Sequence, residues 1–63
     1  MTAQELRAWA LRLDLTQAEA ALLLRVPFET YRKWETGRAA CAAPGLLEIA
    51  TERLERDLLR HGL

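Results

Sequence analysis

Apolar residues recur at helical spacing in four stretches of the chain. In the first stretch, Leu6 and Trp9 lie three residues apart and follow a threonine and a glutamate, Thr2 and Glu5, that are spaced as in a capping box. In such a box the two side chains satisfy backbone N–H groups that a helix start leaves free. The pattern therefore predicts a first helix over about residues 3–13.

The same start signal returns at Thr16 and Glu19. It predicts a short second helix over about residues 17–24. The residues expected on its apolar face are Ala18, Ala21, Leu22 and Leu24.

A third helix is expected to begin at or just after Pro27, because proline cannot continue a helix but suits the first turn of a new one. It runs to Trp34 or Glu35, and Gly37 suits the left-handed residue that ends many helices. Tyr31 and Trp34 are three residues apart and are predicted to face inward. They and Trp9 are interpreted as core residues rather than as stacking platforms for bases.

Pro44 and Gly45 open the last predicted helix, over about residues 45–60. Its inward stripe is predicted to hold Leu47, Ala50, Leu54 and Leu58. Three apolar residues lie off that stripe and predict a subunit interface: Ile49, Leu59 and Leu63. No strand pattern is present, so we expect an all-α fold of about four helices in a single domain spanning residues 1–63.

Length and composition limit the classes of protein. A chain of 63 residues buries only about 60% of its unfolded surface. A single cysteine, Cys41, excludes a disulfide, and a single histidine, His61, argues against zinc. We therefore expect a second subunit to bury part of the remaining apolar surface. We expect no cofactor, metal or small-molecule ligand. Nothing resembles a nucleophile–base pair or a phosphate-binding glycine loop, so an enzyme is not expected.

The cysteine count and the lack of a signal-peptide or membrane-spanning pattern predict a cytoplasmic protein, in a bacterial or phage-infected host cell, that is not membrane-bound. The net charge is zero, which argues against a nonspecific nucleic-acid coat protein. Residues 25–38, however, hold four bases and two acids, a local balance of +2. Positive charge is thus concentrated in the middle of the chain, as in a protein that presents one face to DNA.

Two short helices joined by a tight turn match the helix-turn-helix layout. The segment Leu15-Thr16-Gln17-Ala18-Glu19-Ala20 resembles the opening of the second helix in the phage repressor/Cro family. The segment from Val26, ending Trp34-Glu35-Thr36-Gly37-Arg38, resembles that family's recognition helix and its exit. The motif spans about residues 16–36. The resemblance implies a transcriptional repressor that binds double-stranded DNA as a homodimer on an inverted repeat in a promoter.

A narrower resemblance joins four short segments of the chain. Met1-Thr2-x-x-Glu5-Leu6, Glu19-Ala20-Ala21, Arg25-Val26 and Trp34-Glu35-x-Gly37-Arg38 are similar to those of phage anti-CRISPR-associated repressors. This similarity implies control of an anti-CRISPR operon.

The repressor/Cro resemblance also implies residue roles. The positions it implies for base contact are Phe28, Glu29, Arg32 and Lys33. The positions it implies for DNA-backbone contact are Thr16 and Gln17. Arg38 follows the third helix and can reach a phosphate as a cation, and Thr36 and Thr30 are expected to contact the backbone with it. The start of the second helix suits a phosphate on physical grounds too, because its free N–H groups and partial positive charge attract anions.

The chain departs from the family where Arg25 stands in place of the turn glycine, Pro27 in place of a capping serine or threonine, and Phe28 in place of a polar base reader. Alternative roles remain for two acidic residues: Glu29 is placed to pair with Lys33, and Glu35 to pair with a nearby arginine. Two alternative functions also remain, an antitoxin-like adaptor that binds a protein and an RNA-binding regulator.

Overall fold

The computed structural model of the protein describes residues 1–61, and the side chains of residues 1–60. Its helices are α1 (Ala3–Arg12), α2 (Gln17–Leu24), α3 (Phe28–Thr36) and α4 (Pro44–His61). Within this part of the chain there is no strand, which confirms the predicted all-α fold. No helix among the described residues is long and apolar enough to cross a membrane.

Both predicted capping boxes are present. The Thr2 hydroxyl accepts from the Glu5 N–H at 3.1 Å, and the Glu5 carboxylate accepts from the Thr2 N–H at 2.7 Å. Thr16 and Glu19 make the same two bonds at the start of α2, at 3.1 and 2.9 Å. Because these bonds involve residues only three apart, sequence alone locates both helix starts.

Three of the helices are followed by a residue in the left-handed region: Asp14 (φ 56°), Arg25 (φ 60°) and Gly37 (φ 79°). In each case the next N–H closes the helix on a carbonyl five residues back, as in a Schellman motif. These bonds run from Leu15 to Ala10 (2.9 Å), from Val26 to Ala21 (3.0 Å) and from Arg38 to Lys33 (3.0 Å). The chain therefore turns sharply after α1, α2 and α3.

The core lies between the first three helices. Its fully buried members are Leu6, Trp9, Ala10, Ala20, Ala21 and Tyr31. Trp34 is half-buried and packs against this cluster. The three aromatic side chains therefore belong to the core, as predicted, and Trp9 has only 1% of its surface exposed.

The predicted apolar face of α2 is partly wrong. Ala20 and Ala21 are buried, whereas Ala18 is exposed and Leu22 is 77% exposed. α2 is apolar on nearly every side, so its hydrophobic pattern does not distinguish a face. Packing decides the orientation, because the small side chains of Ala20 and Ala21 enter the core cluster where α2 packs against α3.

α4 packs along its predicted stripe, with Leu47 buried and Leu54 half-buried. Thr51, which was not predicted to face inward, is also buried, and its carbonyl accepts the Trp9 indole N–H at 2.9 Å. An ion pair between Arg12 and Glu55, at 2.6 Å, adds a second link between α1 and α4. α4 is thereby held against α1, on the three-helix core.

Candidate nucleic-acid interface

The turn between α2 and α3 sets the angle of the two helices. Arg25 adopts φ 60° and ψ 43°, in the position where the family resemblance expects glycine. A non-glycine residue in this region costs about 1 kcal/mol. Pro27 then stands at the N-cap of α3 with φ −59° and gives no side-chain cap. Arg25 thus adopts the αL conformation even though it carries a Cβ atom, and α3 begins without a side-chain cap.

The start of α2 presents Thr16 and Gln17 together; these two residues are called the α2 anchor below. The Thr16 hydroxyl accepts from the Glu19 N–H, and its own O–H hydrogen remains available to an outside acceptor. Bonds from Thr16 hold the pKa of the Glu19 carboxyl below its ordinary value of 4.5. Glu19 is therefore ionised at neutral pH.

Gln17 is half-buried, and its side chain turns toward α3. Its Nε2 donates to Oε1 of Glu35 at 3.1 Å. A primary amide nitrogen carries two hydrogens, so one N–H of this nitrogen is left for another acceptor. Gln17 thus occupies the place predicted for a DNA-backbone contact, but it is also bonded inside the protein.

The outward surface of α3 holds Phe28, Glu29, Arg32 and Lys33, which are called the recognition face below. All four side chains are exposed, including the aromatic side chain of Phe28, of which 44% is exposed. Their positions, one turn apart along nine residues of helix, bring together the residues predicted to contact bases.

One ion pair crosses the recognition face. Glu29 Oε2 lies 3.0 Å from Arg32 Nη2, and this bond holds the pKa of the Glu29 carboxyl below 4.5. The hydrogen-bonded partner of Glu29 is thus Arg32 rather than the Lys33 that the sequence suggested, and the charge of Lys33 also lowers the pKa of Glu29. Both partners are largely exposed, so the pair is weak and can exchange for contacts with a ligand.

The remaining predicted backbone-contact residues lie on α3 and just beyond it. Thr30 is half-buried, and Arg38 is exposed directly after Gly37. The Thr36 hydroxyl donates to the Arg32 carbonyl at 3.0 Å, so it reaches a phosphate as a donor only after rotating away. Of the three residues, Arg38 is therefore the one that can make an ionic contact with a phosphate.

Glu35 is buried, with 7% of its surface exposed, and its carboxylate does not pair with an arginine as the sequence suggested. Oε1 accepts from Gln17, and Oε2 accepts from the Tyr31 hydroxyl. An arginine does reach the residue, but Arg7 donates to the Glu35 backbone carbonyl. Burial and this carboxylate raise the pKa of Tyr31 above its ordinary value of 10.0, so the phenol stays a neutral donor.

Sequence reasoning missed the link from Glu35 to Gln17. Tyr31 and Glu35 are four residues apart on one helix, and this spacing was the available signal for their bond. Gln17 is 18 residues away from Glu35, and no local pattern joins the two.

The residues predicted for a subunit interface are distant from the recognition face in sequence. Ile49 and Leu59 on α4 are exposed, at 65% and 53%. Leu46, which was not predicted, is exposed to a similar extent. Leu63 lies outside the described residues.

Comparison with known proteins adds one match. A family model described as helix-turn-helix matches residues 6–58, which include the α2 anchor, the recognition face and most of α4. No curated protein and no solved structure shows significant similarity to this chain.

Proposed function

The chain belongs to the helix-turn-helix family of phage repressor and Cro type, and from that membership we propose that it is a sequence-specific transcriptional repressor. The family consists of DNA-binding regulators and is not typically enzymatic. The observation that carries the proposal is the exposed recognition face on α3, set beside the α2 anchor by the tight turn at Arg25.

In this proposal α3 enters the major groove of double-stranded DNA. An α-helix with its side chains is about 10–12 Å in diameter, which suits a groove about 12 Å wide. Arg32 or Lys33 donates to O6 and N7 of guanine, Glu29 accepts from N4 of cytosine, and Phe28 packs on a thymine methyl group.

The DNA backbone is proposed to contact the α2 anchor on one side of α3 and Arg38 on the other, with Thr30 and Thr36 between them. The partial positive charge of the α2 start favours a phosphate there. These contacts hold the protein in register on the duplex and do not themselves read sequence.

Two copies are proposed to bind one inverted repeat, with their α3 helices about 34 Å apart in successive major grooves. The exposed apolar residues of α4, Ile49 and Leu59, together with Leu63, are proposed to form the subunit interface. Repression follows when the dimer covers the promoter. The similarity to anti-CRISPR-associated repressors supports an anti-CRISPR operon as the target.

A mobility-shift assay tests the proposal, with DNA from upstream of the protein's own operon against scrambled DNA over a salt series. We expect specific, salt-sensitive binding with two chains per site. Arg32→Ala and Lys33→Ala should each weaken specific binding about tenfold, because a good base contact contributes about 1–3 kcal/mol.

The matched control is Arg12→Ala, which also removes one exposed positive charge but lies on α1, where Arg12 pairs with Glu55. It should bind the operator like the parent. Equal, weak binding of the parent to both DNAs would refute the repressor function and turn attention to a protein or RNA partner. Parent-like binding by both α3 variants would refute the assignment of the recognition face.

A further inference from the structure

Glu35 connects three helices behind the proposed DNA-binding surface. Its two carboxylate oxygens accept from Gln17 of α2 and Tyr31 of α3, and its backbone carbonyl accepts from Arg7 of α1. The side chain is buried, and no buried side-chain polar atom among the described residues lacks a partner. A carboxylate in this position has a use beyond filling space, since apolar residues would fill the same space without desolvating a charge.

The bond from Gln17 to Glu35 determines how the Gln17 amide is turned. The acceptor is a carboxylate, so the amide nitrogen, rather than the amide oxygen, must face it. With one N–H on Glu35, the second N–H of the same nitrogen points about 120° away in the amide plane. Gln17 is also the first residue of α2, where the backbone N–H groups of the first turn have no carbonyl within the helix.

A free glutamine side chain would spend little time in this orientation. Ordering such a side chain costs up to about 2 kcal/mol of rotamer entropy, which a DNA complex would otherwise have to supply. Glu35 orders Gln17 before DNA arrives.

We propose that Glu35 is a positioning residue for the DNA-backbone contact of Gln17, which it holds with one amide N–H directed at a phosphate. The inference rests on the proposed DNA-binding function and adds a role for a residue that does not itself touch DNA.

Four variants test the inference on the operator duplex. Gln17→Ala removes the contact, and Glu35→Met removes its acceptor while keeping side-chain length. Glu35→Gln is the rescue, because its amide oxygen still accepts from Gln17 while the Tyr31 hydroxyl turns to accept from its N–H. Tyr31→Phe is the matched control, since it removes a bond to Glu35 and leaves Gln17 in place.

The readout is the affinity for the operator at one salt concentration, measured below the melting temperature of every variant. A glutamine amide donates a hydrogen bond to a phosphate but neutralises no charge, so the slope of log affinity against log salt concentration should stay parental in all variants. We expect an affinity loss of about tenfold in Gln17→Ala and Glu35→Met. The double variant Gln17→Ala/Glu35→Met should lose no more than either single variant. Glu35→Gln and Tyr31→Phe should keep the parental affinity, even where their melting temperatures fall.

A purely structural role for Glu35 predicts a different result. Glu35→Met would then lower the melting temperature but keep the parental affinity for the operator, which would overturn the inference while leaving Gln17 as a contact. A parental affinity in Gln17→Ala would also overturn the inference. The repressor function would not be affected by that result, because the Arg32 and Lys33 variants test it separately. If the parent shows no specific binding, the function and the inference fall together.

The wild-type protein supplies a test that does not depend on any variant folding. Gln4 and Gln17 are the only side-chain amides in the chain, so a ¹⁵N-correlated NMR spectrum holds just two such pairs. We expect the Gln17 pair to shift on addition of operator DNA, chiefly through one of its two protons. Gln4, exposed on α1, is the internal control and should not move. An unchanged Gln17 pair in the bound state would overturn the inference.

Discussion

Replacing Arg25 with glycine should stabilise the protein, because Arg25 holds an unfavourable backbone conformation at the end of α2. Its φ of 60° and ψ of 43° belong to the left-handed region. An L-residue with a Cβ atom pays about 1–2 kcal/mol there, and glycine pays nothing. Arg25 is exposed, and its side chain makes no hydrogen bond or ion pair within residues 1–60 that would offset this cost.

Glycine also has a cost, since it makes the unfolded chain more flexible. That term is about 0.4–1 kcal/mol. The difference leaves a net gain of about 0.5–1 kcal/mol for Arg25→Gly. In a domain of this size 1 kcal/mol corresponds to about 4–8 °C of melting temperature, so the rise should be about 2–8 °C.

Thermal unfolding followed by circular dichroism measures the effect, at equal protein concentrations because dimerisation would shift the midpoint. Arg25→Ala is the control: it removes the same charge and the same long side chain but keeps a Cβ atom in the left-handed conformation. We expect no gain from it. Equal melting temperatures for the glycine and alanine variants would refute the strain argument, because the charge would then account for any change.

Three further predictions concern other helix ends and the core. Gly37→Ala should lower the free energy of unfolding by urea by about 1 kcal/mol, because an alanine is strained at a φ of 79°. The added Cβ would not clash, since its nearest neighbour is a methyl group at 3.9 Å. An unchanged urea midpoint would show that the loop relaxes. Trp9→Phe should lower the free energy of unfolding by about 2–3 kcal/mol in the same assay, because it removes the hydrogen bond to Thr51 and leaves a cavity. A loss below about 0.5 kcal/mol would contradict the buried position of Trp9 in the core. Glu19 has a lowered pKa in the folded state through bonds from Thr16, so its stabilisation is present above the ordinary pKa of 4.5 and is lost as the pH falls through the folded value. Glu19→Gln should therefore flatten the fall in melting temperature between pH 5 and pH 3, and a fall as steep as the parent's would refute this.

Much of the fold was predictable because its signals are local. The capping boxes at Thr2 and Thr16 join residues only three apart, and Gly37 acts on its own backbone. The helix starts of α1 and α2 agree with the prediction for that reason. The recognition face followed from helical spacing within α3, together with the resemblance to a known family. Its contact with DNA remains a prediction.

The tertiary structure decided the features that depend on residues far apart in the chain. The sequence suggested an arginine partner for the Glu35 carboxylate, but folding placed Gln17 and Tyr31 there instead. Folding also turned Leu22 toward solvent on α2, a helix that is apolar on nearly every side. Sequence alone located the starts of α1 and α2, because the energies of the two capping boxes arise within one turn. Which side chains meet across helices depends on how whole faces pack, and no single turn of the chain contains that information.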